Sequence, residues 1–144
     1  MTREFAWTLF APSFLTALMF LCLMSPPAEA VPPKNVNELI VERLADLPGK
    51  ELDMLTVEYP PGGESPAHRH DAYVLVYVLQ GAVEMQIAGH EVVTLKAGET
   101  FIERPTDIHT VSRNASQSEP AKFLVVALKS EGRPLTREVK TGER

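Results

Sequence analysis

Short apolar segments separated by turn residues dominate the chain after residue 50. Residues 72–80 are apolar on both faces, which is typical of a strand buried between two layers. Residues 82–87 alternate apolar and polar positions, and the Ala88-Gly89 pair that follows predicts a hairpin turn. About seven such segments at regular spacing predict an all-β sandwich or small barrel. The other predicted strands are 52–59, 90–95, 99–103, 108–113 and 122–129.

The segment 38–47 admits two interpretations. Its alternating apolar positions favour an edge strand, whereas Ile40, Leu44 and Leu47 fit a helical stripe at least as well. Pro48-Gly49 ends the segment in either case, so the choice stays open at this point.

Residues 1–30 have the layout of a secretory signal peptide. A charge-free run over 5–24 is followed by Pro26-Pro27 and by Ala28-Glu29-Ala30, which matches an A-x-A cleavage site. We predict cleavage after Ala30, a periplasmic or secreted protein, and contact with the membrane only during export. The alternative is an uncleaved N-terminal anchor, because the charge-free run is long enough to span a bilayer.

The remaining residues, 31–144, are enough for one domain with one core. We divide them into a lead-in (31–50), a barrel (51–130) and a tail (131–144). The only cysteine is Cys22, so the exported chain would have no disulfide. The net charge is −5 with interspersed charges and no basic run, which argues against a nucleic-acid partner.

Histidines are the candidate functional residues. His68 and His70 stand two positions apart, so in a strand both imidazoles point to the same face. Neutral imidazole is a good ligand for Fe, Mn, Zn or Ni, and His109 is the natural third ligand. An isolated His-x-His at a loop end is usually solvated, and a lone strand histidine is usually hydrogen-bonded. His90 follows a turn and is expected to be exposed.

The surroundings of these histidines resemble the cupins, which are small double-stranded β-helix barrels with a jelly-roll layout. The first cupin motif, Gly-x5-His-x-His-x3–4-Glu-x6-Gly, fits Gly62, His68, His70 and Gly81. The second, Gly-x5-Pro-x-Gly-x2-His-x3-Asn, is matched by a glycine and a histidine at the right spacing. Its remaining positions fall one place late. The second-motif residues are Gly98, Pro105, Asp107, His109 and Asn114.

The resemblance implies an all-β jelly-roll barrel and a divalent metal ion bound by His68, His70 and His109. It does not supply the glutamate, because Val74 stands at that position and Leu75 follows it. The site is then either a three-histidine centre or a barrel that has lost its metal. Glu64, Tyr73 and Glu103 are substitutes for the missing ligand. They are better explained as a loop charge, a core aromatic and an edge charge, respectively.

Three neutral ligands would leave a divalent ion with its full charge, so we expect an anionic or enolizable oxygen ligand at the centre. Strand parity places Val74, Val76 and Val78 on the histidine face, an apolar lining typical of small-molecule sites and of ordinary cores. Met85 and Phe101 are further candidates for the lining, although ordinary core packing explains each of them better. Arg69 and Arg104 could bind a substrate carboxylate, although surface salt bridges explain them better.

The resulting functional hypothesis is an exported metal-binding cupin, an oxygenase acting on a small organic molecule. No separate general base is visible in the motifs, so the chemistry would depend on the metal. The alternative is a non-catalytic barrel that binds a small ligand or a metal in the periplasm, and a sugar isomerase ranks below both. The resemblance also implies a homodimer formed through strand edges, for which the apolar stretch 123–128 is suited.

Overall fold

The computed structural model describes residues 34–139, and within that range the chain is all-β without a helix. The predicted signal peptide lies outside the described residues. In residues 34–139 no helix is long and apolar enough to cross a membrane. The strands are β1 (Asn35–Arg43), β2 (Lys50–Tyr59), β3 (His68–Arg69), β4 (Ala72–Gln80), β5 (Ala82–Ile87), β6 (Val93–Lys96), β7 (Thr100–Glu103), β8 (Ile108–Asn114), β9 (Ala121–Ser130) and β10 (Arg137–Glu138).

Two five-stranded antiparallel sheets face each other. Sheet I has the order β1-β2-β9-β4-β7 and sheet II the order β10-β3-β8-β5-β6. Consecutive strands lie in different sheets at several points, as in a jelly-roll barrel, and the all-β prediction is confirmed. Alternate side chains of β2, β4, β5 and β9 point inward and form one core. Its buried members are Val57, Tyr59, Ala72, Val74, Val76, Val78, Val83, Met85, Ala121, Phe123, Val125 and Ala127.

Only one face of β4 is buried, contrary to the expectation for 72–80. Val74, Val76 and Val78 point into the core, as parity predicted. On the other face Tyr73 and Leu75 are half exposed, at 50% and 52%, so the interpretation of Tyr73 as a core aromatic is wrong. The apolar residues on this outer face had suggested that a second layer covers β4, but no strand within residues 34–139 packs over it. The homodimer stays a prediction.

Segment 38–47 forms part of an edge strand rather than a helix. β1 pairs with β2 over its whole length, and all of its residues are exposed. A turn over 44–49, closed by hydrogen bonds between Leu44 and Lys50, follows it. Pairing with β2 supplies the backbone hydrogen bonds that a helix would have supplied internally. Residues 35–43 of the predicted lead-in are therefore part of sheet I, and 44–49 form the turn to β2.

Charged side chains occupy the inner face at the end of sheet I. Lys129 of β9 is buried with Glu51 and Asp53 of the neighbouring β2. Its ammonium group contacts Glu51 and lies 3.3 Å from Asp53 Oδ2. Pairing of opposite charges offsets the free-energy cost of burying them. The apolar core ends at this cluster.

Asn114 connects the end of β8 to the loops on either side. Its Nδ2 donates to the carbonyl oxygens of Pro60 at 3.0 Å and Glu119 at 2.8 Å. Its Oδ1 accepts from the backbone N–H of Ser116 at 2.9 Å. The side chain is almost fully buried, so these bonds satisfy groups that water does not reach.

We expect the substitution Asn114→Ala to lower the free energy of unfolding by about 2 kcal/mol or more, because buried backbone groups lose their partners. Asn37→Ala, at an exposed position of β1, is the matched control and should change it by less than about 0.5 kcal/mol. Urea unfolding followed by circular dichroism measures both. Equal losses in the two variants would contradict this role for Asn114.

Candidate metal centre

The structure brings His68, His70 and His109 together between the two sheets. His68 and His109 are direct cross-strand partners in sheet II, and His70 follows β3. The ring centroids of His68 and His70 lie 4.9 Å apart, and those of His68 and His109 lie 5.3 Å apart. All three side chains are buried. The residues chosen from the sequence thus converge, whereas a metal ion bound to them stays a prediction.

Backbone carbonyls fix the orientation of two of the rings. Nδ1 of His68 lies 2.8 Å from the Pro66 oxygen, and Nδ1 of His70 lies 2.9 Å from the Leu135 oxygen. A carbonyl only accepts, so each Nδ1 carries the proton and each neutral ring keeps its lone pair on Nε2. Histidines that bind metals use the same arrangement, in which the second nitrogen is held by a carbonyl or carboxylate.

Glu103 completes the cluster. Its side chain is only 4% exposed, and Oε2 lies 3.0 Å from His70 Nε2 and 3.3 Å from His109 Nε2. The interpretation of Glu103 as an edge charge is therefore wrong. Phe101 and Glu103 share one strand face, and because Phe101 was a candidate for the lining, parity would have placed Glu103 there as well.

Glu103 stands beside the position where the resemblance expects a glutamate. In sheet I it is the direct cross-strand partner of Val74. Opposite residues of an antiparallel pair have their Cβ atoms about 5 Å apart on the same face. The carboxylate that is missing from β4 is thus present on the neighbouring strand β7, pointing to the same side.

Burial and the Glu103 charge determine the pKa values of the histidines in opposite ways. Burial lowers the pKa of His68 to about 4 and also lowers the pKa of His109. For His70 burial acts in the same direction, but the Glu103 carboxylate and the Leu135 carbonyl together outweigh it and raise the pKa. Near neutral pH, His68 and His109 are neutral rings with lone pairs, whereas the carboxylate beside His70 favours its protonated form.

The donor set fits a divalent metal ion. Both ring nitrogens of His109 are buried without a hydrogen-bond partner among the described residues, and Glu103 Oε2 has only the close contacts with His70 and His109, neither with the geometry of a hydrogen bond. Two ligands at about 2.1 Å from one ion and about 90–110° apart are separated by about 3.0–3.4 Å, which matches the two contacts of Glu103 Oε2. No group of three or more His, Cys, Asp and Glu side chains in residues 34–139 stands ready to hold a metal without adjustment. Binding would therefore require these side chains to reorient around the ion.

A cavity of about 220 Å³ opens beside the cluster. Its walls are mainly apolar, and Val74 and Met85 line it as the sequence predicted. Phe101 instead packs edge-on against His109, with ring centroids 5.7 Å apart. Leu135 and Thr136 of the tail also line the cavity, which the polar composition of the tail did not indicate. The other lining residues are Lys34, Val36, Leu55, Val57, Tyr59, Ser65, His68, His70, Glu103, Ser112, Phe123 and Val125.

The remaining candidates lie outside the cluster. Glu64 and His90 are exposed, the latter as expected. Arg69 forms an ion pair with Asp71, with 2.9 Å between Nη2 and Oδ1, which agrees with its interpretation as a surface salt bridge. Arg104 is exposed and does not line the cavity.

Comparison with known proteins agrees with this architecture. A model of the cupin domain family matches residues 55–127, about half of the chain. No curated protein matches significantly. Among solved structures, the DMSP lyase DddQ from Ruegeria pomeroyi superposes with a TM-score of 0.55 at 22% identity, covering 65% of this chain and 45% of that one.

Two further solved structures are of proteins with other activities. The polyketide cyclase RemF from Streptomyces resistomycificus has a TM-score of 0.58 at 23% identity and covers 76% of this chain and 73% of its own. An oxalate oxidase in complex with the substrate analogue glycolate has a TM-score of 0.56 at 27% identity, covering 74% and 55%. The chain thus spans about half the length of the lyase and the oxidase.

In the metal-free protein we expect His70 to protonate first on acidification and His68 last, near pH 4, because Glu103 raises the pKa of His70 whereas burial lowers that of His68. Glu103→Gln should lower the pKa of His70, since the neighbouring negative charge is lost while the ring stays buried. Ring-nitrogen NMR titration measures both values, with the exposed Glu91→Gln as the control. Titration of all three rings at one ordinary value would contradict the cluster geometry.

Proposed function

Since this chain belongs to the cupin family, we propose that it holds one divalent metal ion through His68, His70, His109 and Glu103. The observation that carries the proposal is the convergence of Nε2 of His70 and Nε2 of His109 on Glu103 Oε2, at 3.0 and 3.3 Å. A carboxylate on β7, opposite Val74, replaces the one that the first cupin motif would place on β4. The centre would then be a three-histidine, one-carboxylate site.

Glu103 changes the net charge that a three-histidine centre would have. Three neutral histidines would leave the ion with its full double charge, whereas one carboxylate ligand lowers the net charge by one. The site remains positive and still favours an anionic oxygen ligand. Imidazole nitrogen and carboxylate oxygen together suit Fe, Mn, Zn or Ni, and geometry alone does not select among them.

A divalent ion in this position would supply Lewis acidity and, as iron or manganese, redox chemistry with O₂. The chain itself orients the ligands and excludes water. The carbonyls of Pro66 and Leu135 hold two rings in place, and apolar side chains surround the open side of the cluster. A cavity of about 220 Å³ suits a small organic ligand.

We propose metal-dependent conversion of a small organic molecule, with an oxygenase as the first candidate. The alternative is a barrel that binds its ligand without turnover. It is favoured by the scarcity of acid–base groups, because the other titratable residues that line the cavity are Lys34 and Tyr59. Burial raises the pKa of Tyr59, so this hydroxyl is no base at neutral pH. The predicted signal peptide places either activity in the periplasm or outside the cell.

We expect about one metal ion per chain in untagged mature protein, residues 31–144, purified from export-competent cells. His68→Ala and His109→Ala should abolish binding, and Glu103→Gln should weaken it about tenfold or more, because each removes a donor atom. Glu91→Gln should bind as the wild type does. Plasma mass spectrometry and competition with a chelator measure content and affinity.

Three outcomes decide the proposal. No metal after reconstitution with Fe(II), Mn(II), Ni(II) and Zn(II) would overturn it and leave a buried histidine–glutamate ion pair. Full affinity in Glu103→Gln would reduce the site to three histidines. With metal bound, oxygen consumption in the presence of candidate substrates supports the oxygenase, whereas ligand-dependent thermal shifts without turnover support the binding barrel.

A further inference from the structure

The cavity contains a second polar site that the proposed metal centre does not use. The hydroxyl of Tyr59 lies 2.6 Å from Ser65 Oγ and 2.9 Å from Ser112 Oγ. The Lys34 ammonium group donates to Ser65 Oγ at 2.7 Å. All four side chains line the cavity, and the three hydroxyl residues are buried. We call these four residues the hydroxyl cluster.

The hydroxyl cluster has more hydrogen-bond donors than its internal hydrogen bonds use. Three hydroxyl protons serve two hydroxyl–hydroxyl bonds, so one proton is left over whichever way the chain of bonds runs. Lys34 has three N–H donors and uses one of them on Ser65. The cluster can thus present O–H and N–H groups to the cavity, and an acceptor is the partner that satisfies them.

The charge of Lys34 narrows the kind of acceptor. Its side chain reaches from the exposed start of the described chain to the buried Ser65 hydroxyl, so only the end of the side chain is withdrawn from water. Partial burial lowers the pKa of Lys34, and Glu138 offsets part of this effect. An anion bound beside the ammonium group would stabilise its charged form. A carboxylate therefore fits the hydroxyl cluster better than a neutral carbonyl does.

The space between the two polar sites is apolar. The other cavity walls include Val57, Phe123 and Val125, so a ligand that reaches both polar sites contacts apolar side chains elsewhere. Ser65 and His68 are three residues apart, which limits their Cα separation to about 11 Å. A ligand that bridges the two sites is therefore short.

We propose that the hydroxyl cluster binds a carboxylate of the ligand whose other oxygen function faces the histidine–glutamate centre. The ligand class is a short organic acid with an oxygen function at each end and an apolar middle, such as a dicarboxylate of three to six carbons. This inference rests on the proposed metal centre for the second end of the ligand. The hydroxyl cluster itself does not depend on the metal.

The test compares dicarboxylates with matched monocarboxylates on zinc-loaded protein. Malonate, succinate, glutarate and adipate are titrated beside the monocarboxylates of equal carbon number by calorimetry at constant ionic strength. We expect at least one dicarboxylate to bind about tenfold more tightly than the monocarboxylate of equal carbon number, because the second carboxylate gains a charge-assisted contact. Equal affinities across the whole series would overturn the proposal.

Substitutions in the hydroxyl cluster test which residues bind the second carboxylate of the ligand. Lys34→Met should reduce the preference for the dicarboxylate to less than twofold, and Ser65→Ala should reduce this preference partly. Lys96→Met, which removes an exposed lysine outside the cavity, is the matched control and should keep the full preference. A preference that survives in Lys34→Met contradicts the assignment. Circular dichroism melting of each variant confirms that folding is retained.

Metal content in the same samples separates the two proposals. If the protein binds zinc but has equal affinities for the dicarboxylates and the monocarboxylates, the metal centre is supported and the hydroxyl cluster is not a carboxylate site. If no metal binds, the proposed function fails, and the titrations are repeated on metal-free protein. Binding that Lys34→Met weakens would then still support the carboxylate site, whereas its absence would overturn this site as well.

Discussion

Cross-strand register is the constraint on which the candidate centre depends. Pairing of β3 with β8 sets His109 opposite His68, and pairing of β4 with β7 sets Glu103 opposite Val74. These two pairings lie in different sheets, and the jelly-roll turns them toward each other. A slip of one residue in either pairing would point the functional side chain to the outer face. The backbone hydrogen bonds of the sheets thus hold the cluster together, and no disulfide assists them.

The electrostatics of the cavity follow from this arrangement. One carboxylate among three histidines raises the pKa of His70 while burial lowers the pKa of its two neighbours. In the proposed metal-bound form, a divalent ion would take the place of a proton on His70. At the other polar site the charge comes from Lys34, and most of the remaining cavity wall is apolar. Such a division of polar groups would favour ligands whose polar ends match the spacing of the two sites.

Much of the centre could be predicted from the sequence, and the part that could not has identifiable reasons. Strand parity and spacing selected His68, His70 and His109, and parity alone placed Val74 on their face. Glu103 was judged an edge charge, although it shares the face of Phe101 in β7. Leu135 was missed because contact between the tail and His70 spans 65 residues of sequence. Local pattern carries no information about contacts of that length.

The sequence by itself determined the all-β class, most strand boundaries and the three histidines, because side-chain alternation and turn residues are local properties of the chain. Tertiary structure decided that 35–43 is an edge strand and that only one face of β4 is buried. It also decided which carboxylate joins the histidines and where Lys34 meets Ser65. Each of these depends on which strands become neighbours, and strand neighbours are set by packing the whole core rather than by any single segment.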